Sequence, residues 1–295
     1  MTQKFLDEVK LSEDDSLEQM KTRPIVKGSP FIVNGTMTIV GNVGSGKTSL
    51  IVKLLVIYRR EIDPDFFYFH AGTMDSTMSE NVNKHNIKLT SIPSRYMEEF
   101  VMNYRIIKSA VIELYKYYTR DDYWSEALTE MKKVLKVSSL MDKAKETLKK
   151  YSKDSEIKVG DRSFPISKII DENGNITNSV MIFDDLTQFK EFTGKHAASS
   201  FFKELSANTR HFANTSIFSM QRFTYLQKDV RVLSNMWALG YGIAPDDIRE
   251  LFKQSVSVAG YETKELIAEY EEVDRYEFLL INSGLAIVDF IKVNK

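Results

Sequence analysis

Thr36-Met37-Thr38-Ile39-Val40 runs into Gly41-Asn42-Val43-Gly44-Ser45-Gly46-Lys47-Thr48-Ser49, a β-branched apolar segment leading into a glycine-rich loop. The first five residues predict a buried strand. After the loop, Leu50, Ile51, Leu54, Leu55 and Tyr58 recur on one face of a helix. Strand, loop and helix together fit G-x-x-x-x-G-K-[ST] in full. The spacing has a chemical reason: glycines let the backbone turn its N–H groups inward, where they cradle a phosphate at a helix N-terminus. Lys47 is then the point charge for the β- and γ-phosphates, and Thr48 the hydroxyl ligand of Mg²⁺. Gly41, Asn42, Val43, Gly44, Ser45, Gly46, Lys47, Thr48 and Ser49 are therefore the candidate nucleotide-binding residues. An ordinary glycine-rich turn is the alternative, and the flanking strand and helix disfavour it.

Upstream, Ile32-Val33, a turn at Asn34-Gly35 and Thr36 to Val40 read as a hairpin feeding the buried strand. Residues 1–24 carry six acids and no apolar period, so they are set apart as an N-terminal arm from a globular domain spanning 25–295. Downstream, Phe66 to His70 reads as a second short strand. Met97, Phe100, Val101, Tyr104, Ile107, Val111, Leu114 and Tyr118 define a long amphipathic helix. The stretch from about 119 to 171 changes character: between Lys132 and Lys168 there are 11 Lys+Arg against 5 Asp+Glu. It is expected to be a mostly helical insertion without a buried strand, serving either as a solvated hairpin or as a DNA- or partner-contacting surface.

After a turn at Asp171-Glu172-Asn173-Gly174, Val180-Met181-Ile182-Phe183 reads as a buried strand ending in Asp184-Asp185. This is the pattern of a Walker B strand. Asp184 would serve the metal, and Asp185 would polarise the water that attacks the γ-phosphate. A helix cap or turn is the plainer use of such a pair. A helix from about His196 to His211 precedes a strand, Ser216 to Met220, tipped by Gln221. That glutamine either contacts the γ-phosphate or points at solvent. A helix around Asp246 to Gln254 and two strands, Tyr276 to Ile281 and Leu285 to Ile291, complete the chain. Strands alternating with helices predict an α/β fold with a mainly parallel sheet and a C-terminal β-hairpin.

Composition removes several classes. The 295 residues carry 40 Lys+Arg against 41 Asp+Glu, so the surface is not uniformly basic. There is no cysteine, hence no disulfide framework, thiol nucleophile or Cys-ligated zinc. Four histidines (70, 85, 196, 211) without H-E-x-x-H argue against a zinc hydrolase. No Gly stands two residues after Asp185, and Asn83-Lys84-His85-Asn86 lacks the aspartate of a guanine-reading N-K-x-D, which disfavours a GTPase. A mixed-charge N-terminus and the lack of a bilayer-length apolar run predict an intracellular protein with no membrane partner.

Taken together, the residues resemble the FtsK/HerA superfamily of P-loop ATPases and, within it, the poxvirus-type viral genome-packaging ATPases. The resemblance is carried by GNVGSGKTS (41–49), AGTMDST (71–77), Phe-Asp-Asp-Leu (183–186), TRHFANTSIFSMQ (209–221) and VRVLSN (230–235). It implies a RecA-like fold, ATP and Mg²⁺ as ligands, and a homo-oligomeric ring. It further implies movement of double-stranded DNA into a capsid, with a capsid or portal vertex protein as partner, in host cytoplasm or virion. It makes Lys47 and Thr48 the phosphate and metal contacts, Asp184 the metal carboxylate, Asp185 the catalytic acid and Gln221 the sensor. Arg210 and Arg231 become candidate arginine fingers. The 119–171 insertion departs from the family. DNA contacts are expected from Lys149-Lys150-Tyr151-Ser152-Lys153 and from Lys190 to Lys195. The 74 residues after Gln221 hold no tight carboxylate cluster, so a terminase-type nuclease is not expected. A metabolic kinase and a nucleotide-gated scaffold stay open as rivals.

Overall fold

The computed structural model describes residues 20–71, 74, 76–119, 155–167, 169, 175–185 and 199–293. Two short strands come first, β1 (Arg23–Pro24) and β2 (Ile32–Val33), and they pair with each other, Arg23 opposite Val33. The expected hairpin between Ile32-Val33 and the next strand is thus corrected. Asn34 does take a left-handed φ of 57°, but the chain is passed onward rather than reversed. The polar groups of the bend are taken up by a distant strand: Asn34 N–H donates to Thr215 Oγ1 at 3.0 Å, and Ser216 N–H donates to the Gly35 carbonyl at 2.9 Å.

The chain then builds β3 (Thr36–Val40), α1 (Lys47–Ile62), β4 (Asp65–His70), α2 (Ser76–Lys84), β5 (Leu89–Pro93) and α3 (Met97–Thr119). β6 (Ser155–Val159) and β7 (Arg162–Ile166) form an antiparallel hairpin. There follow β8 (Ser179–Phe183), α4 (Ser199–Ala207), β9 (Asn214–Met220), α5 (Lys228–Val232), β10 (Met236–Gly240), α6 (Pro245–Gln254) and α7 (Thr263–Glu271). β11 (Glu277–Asn282) and β12 (Ile287–Lys292) close the described chain.

Eight strands make one sheet in the order β12-β11-β10-β3-β9-β8-β4-β5. The six from β10 to β5 are parallel, and β11 and β12 are antiparallel, which gives the α/β fold with its C-terminal hairpin. β3, β8, β9 and β10 are buried along their whole length, the signature of a sheet covered on both faces. Side-chain alternation divides each strand between two cores. Met37 and Ile39, with Val180 and Ile182, meet Leu50, Leu54 and Tyr58 of α1. Val40, Met181 and Phe183 meet Phe100 and Tyr104 of α3 on the other face. There Phe183 stacks between Phe69 (4.7 Å) and Phe218 (5.1 Å).

The second correction concerns the insertion. Ile157, Val159, Phe164 and Ile166 are all buried in the α3 core, so the β6–β7 hairpin is part of that core and the stretch does contain buried strands. The rest of the expected helical insertion, the arm up to residue 19, the turn at 171–174 and the two lysine stretches 149–153 and 190–195 lie outside the described residues. Among the described residues no helix is long and apolar enough to cross a membrane.

Candidate active site

Parallel pairing brings three strand ends to one edge of the sheet. Val40 of β3 lies beside Met220 of β9, and Phe183 of β8 lies beside Phe218. Gly41, Gln221 and Asp184 therefore emerge at the same edge, with β9 between the other two strands. Gly41 N–H donates to the Met220 carbonyl at 3.2 Å, tying the loop to β9.

The loop geometry demands its glycines. Gly46 has a φ of 96°, and an added Cβ would lie 2.8 Å from Val293 Cγ2 and 3.3 Å from the Tyr276 ring. At Gly41 a Cβ would lie 2.6 Å from Ser45 Oγ. Lys47 Nζ donates to the carbonyls of Gly41 (2.7 Å) and Asn42 (3.1 Å). Burial lowers the Lys47 pKa, and the charges of Asp184 and Asp185 oppose that shift, so the ammonium and both carboxylates share one electrostatic environment. The first turn of α1 holds no acidic residue, and Ser45 Oγ is buried without a partner among the described residues. These are the features of a site shaped for an anion.

At the end of β8, Asp184 Oδ2 accepts the Tyr68 hydroxyl at 2.7 Å, and Asp184 Oδ1 accepts the Asp185 backbone N–H at 3.0 Å. Asp185 has a left-handed φ of 50°, uncommon for a residue with a side chain and tolerated best by Gly, Asn and Asp. Asp184 and the Thr48 hydroxyl supply hard oxygen donors of the kind Mg²⁺ takes, and Mg²⁺ needs only one or two carboxylates beside phosphate oxygens. The donor set fits the metal. Gln221 is half-buried one residue past Met220.

The two expected arginine fingers are not brought to this edge together. Arg210 is exposed in a 3-10 turn, Thr209–Phe212, that leads into the start of β9. It stands at the opposite edge of the sheet, about 20 Å of strand away from the P-loop side. Arg231, on α5, is 8% exposed, and its guanidinium lies 4.9 Å from the centre of the Phe223 ring. Burial lowers its pKa, opposed by the charge of Glu250, and Nε and Nη1 have no hydrogen-bond partner among the described residues.

Sequence reading missed one wall of the site. A cavity of about 460 Å³ beside the loop is lined by Asn42 and Gly44, and also by Tyr241, Gly242, Asp274 and Arg275. Tyr241 and Gly242 follow β10, and Asp274 and Arg275 precede β11. Because β11 runs antiparallel, its start falls at the edge where the parallel strands end. Asn42 Nδ2 donates to the Gly242 carbonyl and fastens the wall to the loop. Gly240 permits the close packing of Phe278, whose ring carbon would lie 2.7 Å from an added Cβ. A short apolar run ending in Gly-Tyr-Gly was the available signal.

No family model matches the chain, and no curated protein matches it. Among solved structures it is similar to the DNA-packaging ATPase B204 from Sulfolobus Turreted Icosahedral Virus, with 14% identity and a TM-score of 0.49 over 89% of this chain and 98% of that one. B204 from Sulfolobus turreted icosahedral virus 2 in complex with AMPPCP gives 15% and 0.49 over 88% and 98%. EssC (ATPases 2 and 3) from Geobacillus thermodenitrificans gives 12% and 0.47 over 84% of this chain and 38% of that one. A viral DNA-packaging ATPase and the EssC ATPases are thus among the neighbours. At such identities the chemistry has to be read from this chain's own residues.

Proposed function

We propose that the chain is a Mg²⁺-dependent ATPase that moves double-stranded DNA into a capsid, acting as a homo-oligomeric ring against a capsid or portal vertex protein. One observation carries the reading: the end of β9, with Gln221, lies between the P-loop end of β3 and the Asp184-Asp185 end of β8. A kinase needs only the phosphate loop and a metal carboxylate. A hydrolase also needs groups that orient water on the far side of the γ-phosphate, and the presence of Asp185 and Gln221 at the ends of β8 and β9 supports that reading.

In this reading the backbone N–H groups of 44–48 hold the β-phosphate. Lys47 exchanges its two loop carbonyls for phosphate oxygens. Thr48 and Asp184 would hold Mg²⁺, which would supply neutralisation of the negative charge on the phosphates. Tyr68 fixes the Asp184 carboxylate in orientation. Asp185 accepts a hydrogen bond from the attacking water, and Gln221 orients that water or the γ-phosphate. Tyr241 and Arg275 form the wall against which the base and ribose lie. The absence of a base-reading motif supports a grip on phosphates rather than on sequence.

Steady-state ATPase measured with and without duplex DNA of unrelated sequences tests this. Turnover should rise with every duplex, and binding should weaken steeply with salt. Hydrolysis indifferent to DNA would favour the nucleotide-gated scaffold, and phosphoryl transfer to a small acceptor would favour the kinase.

A further inference from the structure

The β6–β7 hairpin is rooted in the core by Phe164, edge-on to Phe100 with ring centres 5.6 Å apart. Its tip, Gly160-Asp161, reaches the turn Ser94–Tyr96 that directly follows β5. There a single aromatic ring organises three charges. The Tyr96 hydroxyl donates to Asp161 Oδ1 at 2.8 Å. The Arg95 guanidinium lies 4.7 Å from the ring centre and that of Arg162 lies 5.6 Å from it. Both arginines are exposed, and neither forms an ion pair with a described residue. Lys158 is exposed on the outer face of the same hairpin, with Glu156 two residues before it.

The cluster stands at the edge that carries the Walker B carboxylates. Pro93 of β5 pairs with His70 of β4, and Phe69 of β4 pairs with Phe183 of β8. The turn 94–96 is therefore level with Asp184 and two strands to its side, about 10 Å along the sheet. A guanidinium stacked on an aromatic ring is oriented in advance and loses little freedom when its remaining N–H groups meet an anion. Planar forks of this kind suit phosphate oxygens, to which they donate in pairs. The exposed side chains of the platform are guanidinium groups, and no exposed large apolar side chain lies among these residues.

We infer that the β6–β7 tip and the turn after β5 are a contact for the phosphate backbone of double-stranded DNA, made by Arg95 and Arg162 on a Tyr96 platform. This deepens the translocase reading and rests on it. The Asp161 carboxylate accepts the Tyr96 hydroxyl and fixes the platform, and its charge also attracts Arg162 and Arg95. Lys158 extends the positive face along the hairpin. The contact is blind to sequence, as movement along a whole genome requires.

The test is fluorescence anisotropy of a labelled duplex of about 20 base pairs across a salt series, for wild type and for Arg95→Gln/Arg162→Gln. Glutamine keeps the packing of the stem and removes the charge. Two phosphate contacts set a change of about 1.8 in the slope of log Kobs against log salt, and each single variant should give about half of it. DNA stimulation of turnover should fall while basal ATPase without DNA stays at the wild-type value. The single variants decide the matter if the double variant does not melt cooperatively. An unchanged slope in variants, with wild type binding duplex normally, overturns the contact and leaves the translocase reading standing. An unchanged slope with loss of oligomer by light scattering would assign the cluster to a subunit contact instead. Failure of wild type to bind duplex would remove both.

Discussion

Lys47 spends its donors on the carbonyls of Gly41 and Asn42, so phosphate binding is an exchange of partners rather than the filling of an unsatisfied group. Lys47→Ala should still fold, because the glycines set the loop, yet it should lose nucleotide binding in a titration with a fluorescent ATP analogue. Asp185→Asn tests the neighbouring carboxylate. Asparagine tolerates the φ of 50°, so this variant should keep the fold and bind ATP while turning over about 100-fold more slowly or worse. Wild-type turnover would remove Asp185 from catalysis. Tyr68 offers a subtler test, since its hydroxyl is bound to Asp184 at 2.7 Å. Groups that orient a metal ligand are worth roughly 10- to 100-fold in metal affinity. Tyr68→Phe should therefore raise the Mg²⁺ concentration for half-maximal activity by that order and leave turnover at saturating Mg²⁺ largely intact.

At the scale of elements, α3 is pinned to the start of β8 and the approach to β9 by a buried lysine. Lys108 is 1% exposed, and its Nζ donates to Ser179 Oγ and the Ala213 carbonyl, both at 3.2 Å. Burial pushes its pKa down to about 7, with the charge of Asp65 opposing. The folded value lies below the unfolded one, so between about pH 7 and 10.5 the unfolded chain binds more protons. Stability from this group consequently rises with pH through that window and is flat below it. Thermal melts from pH 6 to about 9.5 should show wild type gaining on Lys108→Met above neutrality; parallel curves would mean an ordinary ammonium. Elements also differed in how plainly the sequence announced them. β8 was legible as a nearly continuous apolar run, β3 as a β-branched segment ended by the glycine loop, and β9 by the apolar residues Ile217, Phe218 and Met220 before Gln221. β10 went unread: Met236 to Gly240 is apolar and short, and periodicity cannot distinguish such a run from a buried helix segment. β5 carries Pro93 and lies at the sheet edge, where a strand leaves little pattern. In β6 and β7 the alternation was present at Ile157, Val159, Phe164 and Ile166, but the surrounding lysines drew the reading toward a solvated helix. Asn34-Gly35 has the composition of a hairpin turn, and only the register with β1 and β9 shows it to be a bend.

For the whole molecule, the question is where a ring would be completed. An arginine finger is worth roughly 10³–10⁵ in rate in characterised NTPases. Arg231 packs into its own subunit against Phe223, whereas Arg210 is exposed at the edge opposite its own P-loop. If Arg210 serves a nucleotide, it serves a neighbour's. Arg210→Ala and Lys47→Ala proteins, each nearly inactive alone, should therefore regain activity when mixed, measured as turnover in oligomers of wild-type size by light scattering. The same mixture with Arg231→Ala should not recover. No recovery with Arg210→Ala would place the finger elsewhere. The separation of the two edges also limits how copies can meet. One subunit would donate from one end of its strands and receive at the other, about 20 Å apart. In the proposed ring one end of a subunit faces the other end of the next, a heterologous contact that propagates until it closes. An open row always leaves one terminal loop without its donor, and only closure supplies it. Specific activity should then track the closed fraction, with each missing subunit costing more than its own share.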